Sequence, residues 1–168
     1  MSLDQNIENY HKTRLKELAK HILLNTKLDY DFFGPPDFES YMIQLKIVDC
    51  PIVCVNYILL ELTNDNPMLL LQIYSTIIEE VNTLDRELLS YINFANSNDA
   101  INSFVVDDGS LFMRSVFIDN PAKKLDVTSI IYSLKLTSNS LLIHSESLRA
   151  IANGTISCEE AIKKYDAY

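Results

Sequence analysis

The order of hydrophobic and polar residues divides the first half of the chain into one helix and three strands. Apolar side chains recur every three or four positions in residues 3–26, which predicts an amphipathic helix. The segment 29–40 contains Gly-Pro-Pro and is interpreted as a turn or an extended linker. Three strands are then predicted from alternating or continuous apolar runs rich in β-branched residues, at residues 41–49, 52–62 and 68–78.

The second half begins with a return to helical spacing over residues 83–97. Asn82 or Thr83 is the expected N-cap of this helix, because a side-chain oxygen there can accept from a free backbone N–H of the first turn. Residues 103–119 follow and read as two strands around a tight turn. The Asp-Gly dipeptide at 108–109 is typical of a two-residue hairpin loop, so a β-hairpin is predicted.

Two helices are expected at the end of the chain. Asp126 can cap the start of a long helix that ends near Gly154, and a Ser-x-x-Glu capping box predicts a short helix at 157–165. The order is therefore α-β-β-β-α-β-β-α-α. This order predicts an α+β fold with a five-stranded antiparallel sheet and helices mainly on one face. We expect a single domain over residues 1–168, in which 155–168 form a short helical extension.

Several predicted strands carry apolar residues on both faces, which is unusual for a sheet that is solvated on one side. In residues 111–118, one face has Leu111, Met113 and Phe117 and the other has Phe112, Val116 and Ile118 around Arg114. A large exposed apolar patch is rare on a monomer, so the second face is predicted to bind another chain, as a homodimer, a client segment or both. The alternative is that helices cover both faces.

The predicted partner-binding residues are Phe112, Arg114, Val116 and Ile118. Arg114 stands out because the rest of its strand is almost free of charge. In one interpretation it anchors an acidic or carbonyl-rich partner, since its planar donors serve interfaces well. In the other it pairs with an acid of its own chain such as Glu61.

Composition and charge narrow the class of protein. The 168 residues are 48% hydrophobic with a net charge of −9, and residues 28–119 alone carry a net charge of −12. An acidic surface repels phosphate backbones, which argues against nucleic acid as a partner. No apolar run is long enough for a membrane span, the first residues lack a secretory signal, and three cysteines form no disulfide framework. We therefore expect a cytoplasmic protein with no membrane partner.

Candidate chemistry is sparse. Only 3 glycines are present, and no phosphate-binding loop, hydrolase nucleophile elbow or metalloprotease motif occurs. The acidic pairs at 79–80 and 107–108 are interpreted as a strand exit and as turn residues. The cysteines Cys50, Cys54 and Cys158 and the three histidines lack the spacing of a zinc site. The prediction is a non-enzymatic protein without catalytic residues, cofactor or metal, and an unrecognised enzyme is the remaining alternative.

The chain resembles the YbjN-like group, which shares its fold with the Tir-chaperone-like proteins of type III secretion. The resemblance is carried by the order of elements, by the small acidic composition, and by an asparagine-bearing helix, "LLSYINFANSND", that runs into the hairpin "FVVDDGSLFMRSVFI". It covers roughly residues 4–153. It implies binding rather than catalysis: secretion chaperones are dimers that hold an unfolded client segment, and YbjN-like proteins are linked to regulation. It implies no catalytic residue.

Overall fold

The computed structural model describes residues 3–26, 28–36, 40–63, 66–81, 85–119 and 124–166. Four helices lie within these residues: α1 (Leu3–Thr26), α2 (Arg86–Asn98), α3 (Val127–Ala152) and α4 (Cys158–Tyr165). Six strands lie there as well: β1 (Asp29–Phe33), β2 (Met42–Lys46), β3 (Val53–Thr63), β4 (Asn66–Ile78), β5 (Ser103–Asp107) and β6 (Ser110–Asp119).

All six strands belong to one antiparallel sheet with the order β1-β2-β3-β4-β6-β5. The α+β class and the antiparallel sheet are confirmed, but the prediction of five strands is wrong. Part of the segment interpreted as a turn or linker forms β1, where Tyr30 pairs with Leu45 and Phe32 pairs with Ile43. Both aromatic rings pack against the core. Gly34 and the two prolines follow this short strand and end it, but they do not prevent it from forming.

The helices lie on one face of the sheet within the described residues, as the sequence predicted. α1 packs on β1, β2 and β3, while α3 packs on β4 and β6. α2 joins β5 to α3, and α4 packs on α2 and α3. The core between these layers contains buried side chains from both sides, including Leu15, Leu18, Ile22, Val53, Val55, Tyr57, Leu71, Ile73, Tyr91, Leu111, Met113, Leu134, Leu141 and Leu148.

Helix α2 begins later than its spacing predicts. Asp85 is its N-cap and accepts from the backbone N–H of Leu88 at 2.8 Å. Asp85 is therefore the cap itself, and the predicted caps Asn82 and Thr83 lie outside the described residues. Asp85 carries a carboxylate that both caps the helix and complements its dipole, which favours this start.

The other local predictions are confirmed. Asp126 caps α3 by accepting from Ser129, and Ser157 and Glu160 form the capping box of α4. The turn between β5 and β6 has positive φ at both central residues, 45° at Asp108 and 73° at Gly109. This is the backbone that a type I′ hairpin requires and that Asp-Gly favours.

A charged cluster fastens α1 to the end of the sheet. Arg14 of α1 is only 8% exposed, and its Nε lies 3.5 Å from a carboxylate oxygen of Asp119 in β6. The buried Tyr57 of β3 donates to the same oxygen at 2.9 Å. The ring of His11 stacks on Tyr57 at 5.8 Å between centroids. The charge of Asp119 is therefore compensated at the point where α1, β3 and β6 meet.

Candidate protein-binding face

Side chains alternate along the strands between a face covered by helices and a face that no described helix covers. In β6, Leu111, Met113 and Ser115 are buried under the helices, whereas Arg114 and Val116 on the opposite side are exposed. β2, β3 and β4 alternate in the same way. We call the uncovered side the open face. Its central residues are Met42, Gln44, Cys54, Asn56, Ile58, Gln72, Tyr74, Phe112, Arg114, Val116 and Ile118, and it reaches Asp31 and Lys46 at the β1–β2 edge.

The four residues predicted from the sequence all lie on the open face. Ile118 is 68% exposed and Val116 is 46% exposed, while Phe112 is half-buried. Ile58 on β3 adds another exposed apolar side chain, at 43%. If another chain covered these side chains, their apolar surface would be removed from water. Removal of apolar surface from water drives most protein association.

Pairing registers place the open-face residues in rows that cross the strands. One row contains Gln44, Cys54, Tyr74 and Arg114 in strand order β2-β3-β4-β6, with Asp31 and Ser103 at its two ends. The next row contains Met42, Asn56, Gln72 and Val116, and a third contains Ile58, Leu70 and Ile118. The face is therefore apolar in the row of Ile58, Leu70 and Ile118 and mainly polar in the row that contains Gln44 and Arg114.

Arg114 does not pair with Glu61. Arg114 lies opposite Tyr74, which lies opposite Cys54, and Glu61 is seven residues farther along β3. At the rise of an extended strand this separates the two by about 23 Å. Among the described residues no carboxylate lies within ion-pair distance of Arg114. Asp107 borders the same depression as Arg114 but makes no ion pair with it, so the guanidinium retains donors for an acidic or carbonyl group from outside.

A shallow depression of about 150 Å³ lies beside this guanidinium. It is lined by Gln72, Tyr74, Val105, Asp107, Phe112 and Arg114, so a carboxylate and the guanidinium border the same depression. Such a depression can seat one side chain of a partner, with a ring on one side and hydrogen-bond donors on the other. It is too small for most ligands of drug size.

The centre of the open face offers hydrogen bonds rather than a reactive group. Burial raises the pKa of the Cys54 thiol, and burial also raises the pKa of Tyr74 to about 12. Both groups are therefore protonated near neutral pH, and a protonated thiol is a poor nucleophile. Asn56, in the next row, has a buried carboxamide oxygen with no hydrogen-bond partner among the described residues.

The other candidate residues lie apart from one another. His144 is buried in the core, where its ring contacts Tyr91, Phe104 and Tyr165. Burial lowers the pKa of His144, and Tyr91 lies 3.1 Å from its Nδ1. His21 lines a cleft between α1 and α3. Within the described parts of the chain, no three His, Cys, Asp or Glu side chains come together as a metal site would require.

Sequence reasoning missed a buried polar network behind the open face. Asn102 is 3% exposed; its carboxamide oxygen accepts from Ser115 and from Thr137, and its nitrogen donates to Asp99 at 2.9 Å. Burial acts to raise the pKa of Asp99, but hydrogen bonds from Ser140 and Asn102 outweigh it and lower that pKa. The network links the end of α2 to β6 and α3 by hydrogen bonds inside the core.

No family model matches the chain, and no curated protein matches it either. No helix among the described residues is both long enough and apolar enough to cross a membrane.

Proposed function

We propose that the chain is a non-enzymatic protein-binding module, chaperone-like or regulatory, whose open face contacts another polypeptide. The observation that carries this proposal is the exposure of Val116 and Ile118 beside an unpaired Arg114 on the side of the sheet opposite the helices. Apolar area supplies the free energy of association, while an arginine in its midst supplies orientation. The resemblance to YbjN-like and secretion-chaperone-like proteins supports the same class of function.

Two further features support binding over catalysis. Cys54 and Tyr74 at the centre of the face are held in their protonated forms, so they offer neither a thiolate nor a phenolate. Arg114 provides a fixed positive charge in a chain whose net charge is −9. A partner segment with both apolar and acidic side chains fits this combination best.

We propose the cytoplasm as the compartment and protein as the only class of partner. Cys50, Cys54 and Cys158 are all free thiols, as is usual in a reducing environment. The acidic surface disfavours nucleic acid.

Site-specific photo-crosslinking tests the proposal. A benzophenone amino acid at position 118 in the full chain, expressed in its native cell, should crosslink to a defined polypeptide segment that mass spectrometry can identify. The crosslink should disappear when Val116→Glu is added, because a buried unpaired charge costs several kcal/mol at an interface. The matched control carries the same probe at Leu142, which is 49% exposed on α3. Equal crosslinking at both positions, or none at position 118, would refute binding at the open face.

The Val116→Glu chain must also stay folded. Val116 is 46% exposed, so we expect an unchanged circular dichroism spectrum and a stability within about 0.5 kcal/mol of the original. Outright unfolding would show that this face belongs to the core of the single chain and would remove its role as a binding surface.

A further inference from the structure

We infer that the cleft between the end of α1 and the start of α3 binds a small organic phosphate that carries a planar ring. The inference goes beyond the proposed function, because this cleft lies on the helical side of the sheet and the open face lies on the other. The cleft has a volume of about 660 Å³. Sites for small molecules usually have volumes of about 300–1,000 Å³, so the cleft has room for a whole ligand as well as for its phosphate.

The two walls of the cleft are single faces of two helices. His21 and Asn25 come from α1 and are one helical turn apart. Thr128, Tyr132 and Lys135 come from α3, at spacings of four and three residues that place them on one side of that helix. Polar side chains from both helices therefore face the same space, as they do in a site that holds a ligand by several groups at once.

Positive charge is concentrated at this cleft although the chain as a whole is acidic. Residues 28–119 carry a net charge of −12 and the whole chain carries −9, so the two ends of the chain together carry +3. The fold brings these two ends together, since Lys124, Lys135 and His21 all line the cleft. None of these three side chains makes an ion pair with another residue in the part of the chain that the structure describes.

One carboxylate also borders the cleft, and it is engaged by the start of α3. One oxygen of Asp126 accepts from the backbone N–H of Ser129 at 3.1 Å, and the other accepts from the Ser129 hydroxyl at 2.8 Å. Those two hydrogen bonds lower the pKa of Asp126. Even with this negative charge counted, two lysines leave the lining of the cleft net positive. Because Asp126 already caps the helix, the anion would be held by the lysine side chains and not by the helix end.

The charge and the exposed ring indicate the class of ligand. A phosphate monoester carries a charge of about −1.5 to −2 near pH 7, which suits two lysines better than a single carboxylate does. Lysine binds phosphate well as a point charge. Tyr132 is 61% exposed at the cleft, so its ring can stack on a planar group of the ligand. A long phosphate backbone would also meet the acidic surface elsewhere, whereas one phosphate meets only this positive region.

Isothermal titration calorimetry on the full chain tests the inference with four probes. Adenosine monophosphate and phenyl phosphate each join a ring to a phosphate, adenosine has the ring alone, and inorganic phosphate has no ring. At least one of the two ring-bearing phosphates should bind one molecule per chain with a dissociation constant below about 1 mM. Adenosine and inorganic phosphate should each bind at least about tenfold more weakly, because each makes only part of the contacts. Amide NMR shifts should change at the end of α1 and the start of α3.

Exposed substitutions separate the contribution of the charges from that of the ring. Lys124→Glu and Lys135→Glu should each weaken binding of every phosphate probe about tenfold or more, because each removes a charge-assisted contact and adds repulsion. Tyr132→Ala should weaken only the ring-bearing phosphates and leave inorganic phosphate unchanged. Lys163→Glu is the matched control, since it makes the same charge change on α4 and breaks only an exposed ion pair with Glu159. It should not affect binding, and circular dichroism should show all four variants folded.

Three results would overturn the inference. In the first, neither ring-bearing phosphate binds more tightly than inorganic phosphate, which would mean that the lysines are merely solvated. In the second, binding survives both Lys124→Glu and Lys135→Glu. In the third, Lys163→Glu weakens binding as much as they do, which would show a response to net charge alone. The photo-crosslink from position 118 tests the open face separately, and Lys124→Glu should leave that crosslink unchanged.

Discussion

The side chain of Asn96 binds both backbone groups of Phe104 at the outer edge of β5. Its nitrogen donates to the carbonyl oxygen of Phe104 at 3.0 Å, and its oxygen accepts from the N–H of Phe104 at 2.6 Å. The carboxamide thus takes the place that a neighbouring strand would occupy. An edge whose backbone groups are already paired cannot readily template another strand. The β5 edge is therefore closed to strand addition at Phe104.

We predict that Asn96→Ala destabilises the protein by about 1–3 kcal/mol, because it leaves the N–H and C=O groups of Phe104 unpaired. Urea denaturation measures this. The same variant should aggregate at a lower temperature, since the edge is then unprotected. Asn98→Ala is the matched control: Asn98 is on the same helix, but its side chain is exposed and bonds only within the helix end. Equal effects of the two changes would contradict the role of Asn96.

Asn102→Ala should cost at least about 2 kcal/mol of unfolding free energy, because the hydroxyls of Ser115 and Thr137 lose their shared acceptor inside the core. Thr137→Val removes one of these bonds and should cost about 1 kcal/mol. Chemical denaturation of both variants checks the order. Asn139→Ala, an exposed change on α3, should be near neutral. A neutral Asn102→Ala would mean that the network adds nothing to stability.

Stability should fall on mild acidification. Burial lowers the pKa of both His11 and His144 from the ordinary value of 6.5. As the pH drops below 6.5, the unfolded chain therefore binds protons at these rings before the folded chain does, and the free energy of unfolding decreases. Above pH 6.5 this contribution is fully present. Denaturant titrations at several pH values between about 7.5 and 5.5 should show the loss. The double variant His11→Gln, His144→Gln should lose less unfolding free energy over that interval. If its stability falls with pH as steeply as that of the original protein, the two histidines are not the cause.

We predict that the purified protein contains no tightly bound metal. Cys54 lies on the open face, whereas the thiol of Cys50 lies 3.6 Å from the carbonyl oxygen of Ser138 in α3, so the two thiols do not converge. Elemental analysis of protein prepared without chelator should give zinc and iron far below one atom per chain. Stoichiometric metal that is lost in Cys50→Ser would show this prediction to be wrong.

The set of residues that share the face we propose for binding could be predicted, because that grouping depends on local periodicity alone. Side chains of a strand alternate sides, so Phe112, Arg114, Val116 and Ile118 had to share one face. Which face the helices leave uncovered is not local, and neither is register. The interpretation that Arg114 pairs with Glu61 was wrong. The registers of β6 on β4 and of β4 on β3 place Arg114 in the row of Cys54, seven residues from Glu61.

The sequence signals at β1 and at the start of α2 were both ambiguous. Asp29 and Asp31 dilute the apolar signal of β1, and its strand character comes from pairing with β2. Several neighbouring side chains before α2 could each serve as its cap, and the one that accepts from the first turn is Asp85. The burial of His144 was equally hidden, since Tyr91 and Tyr165, which enclose it, are far away in sequence.

The position of α1 sets a constraint on synthesis. Helix α1 is made before the other described elements, yet the elements it packs on are β1, β2, β3 and α3, and α3 begins about a hundred residues after α1 ends. Its apolar residues Leu15, Leu18 and Ile22 have no complete partner surface until residue 152 has been made. At about 5–20 residues per second, this leaves them uncovered for many seconds. Helix α1, which the charged cluster finally fastens to the sheet, therefore needs a cover for its apolar residues while the later elements are still being translated.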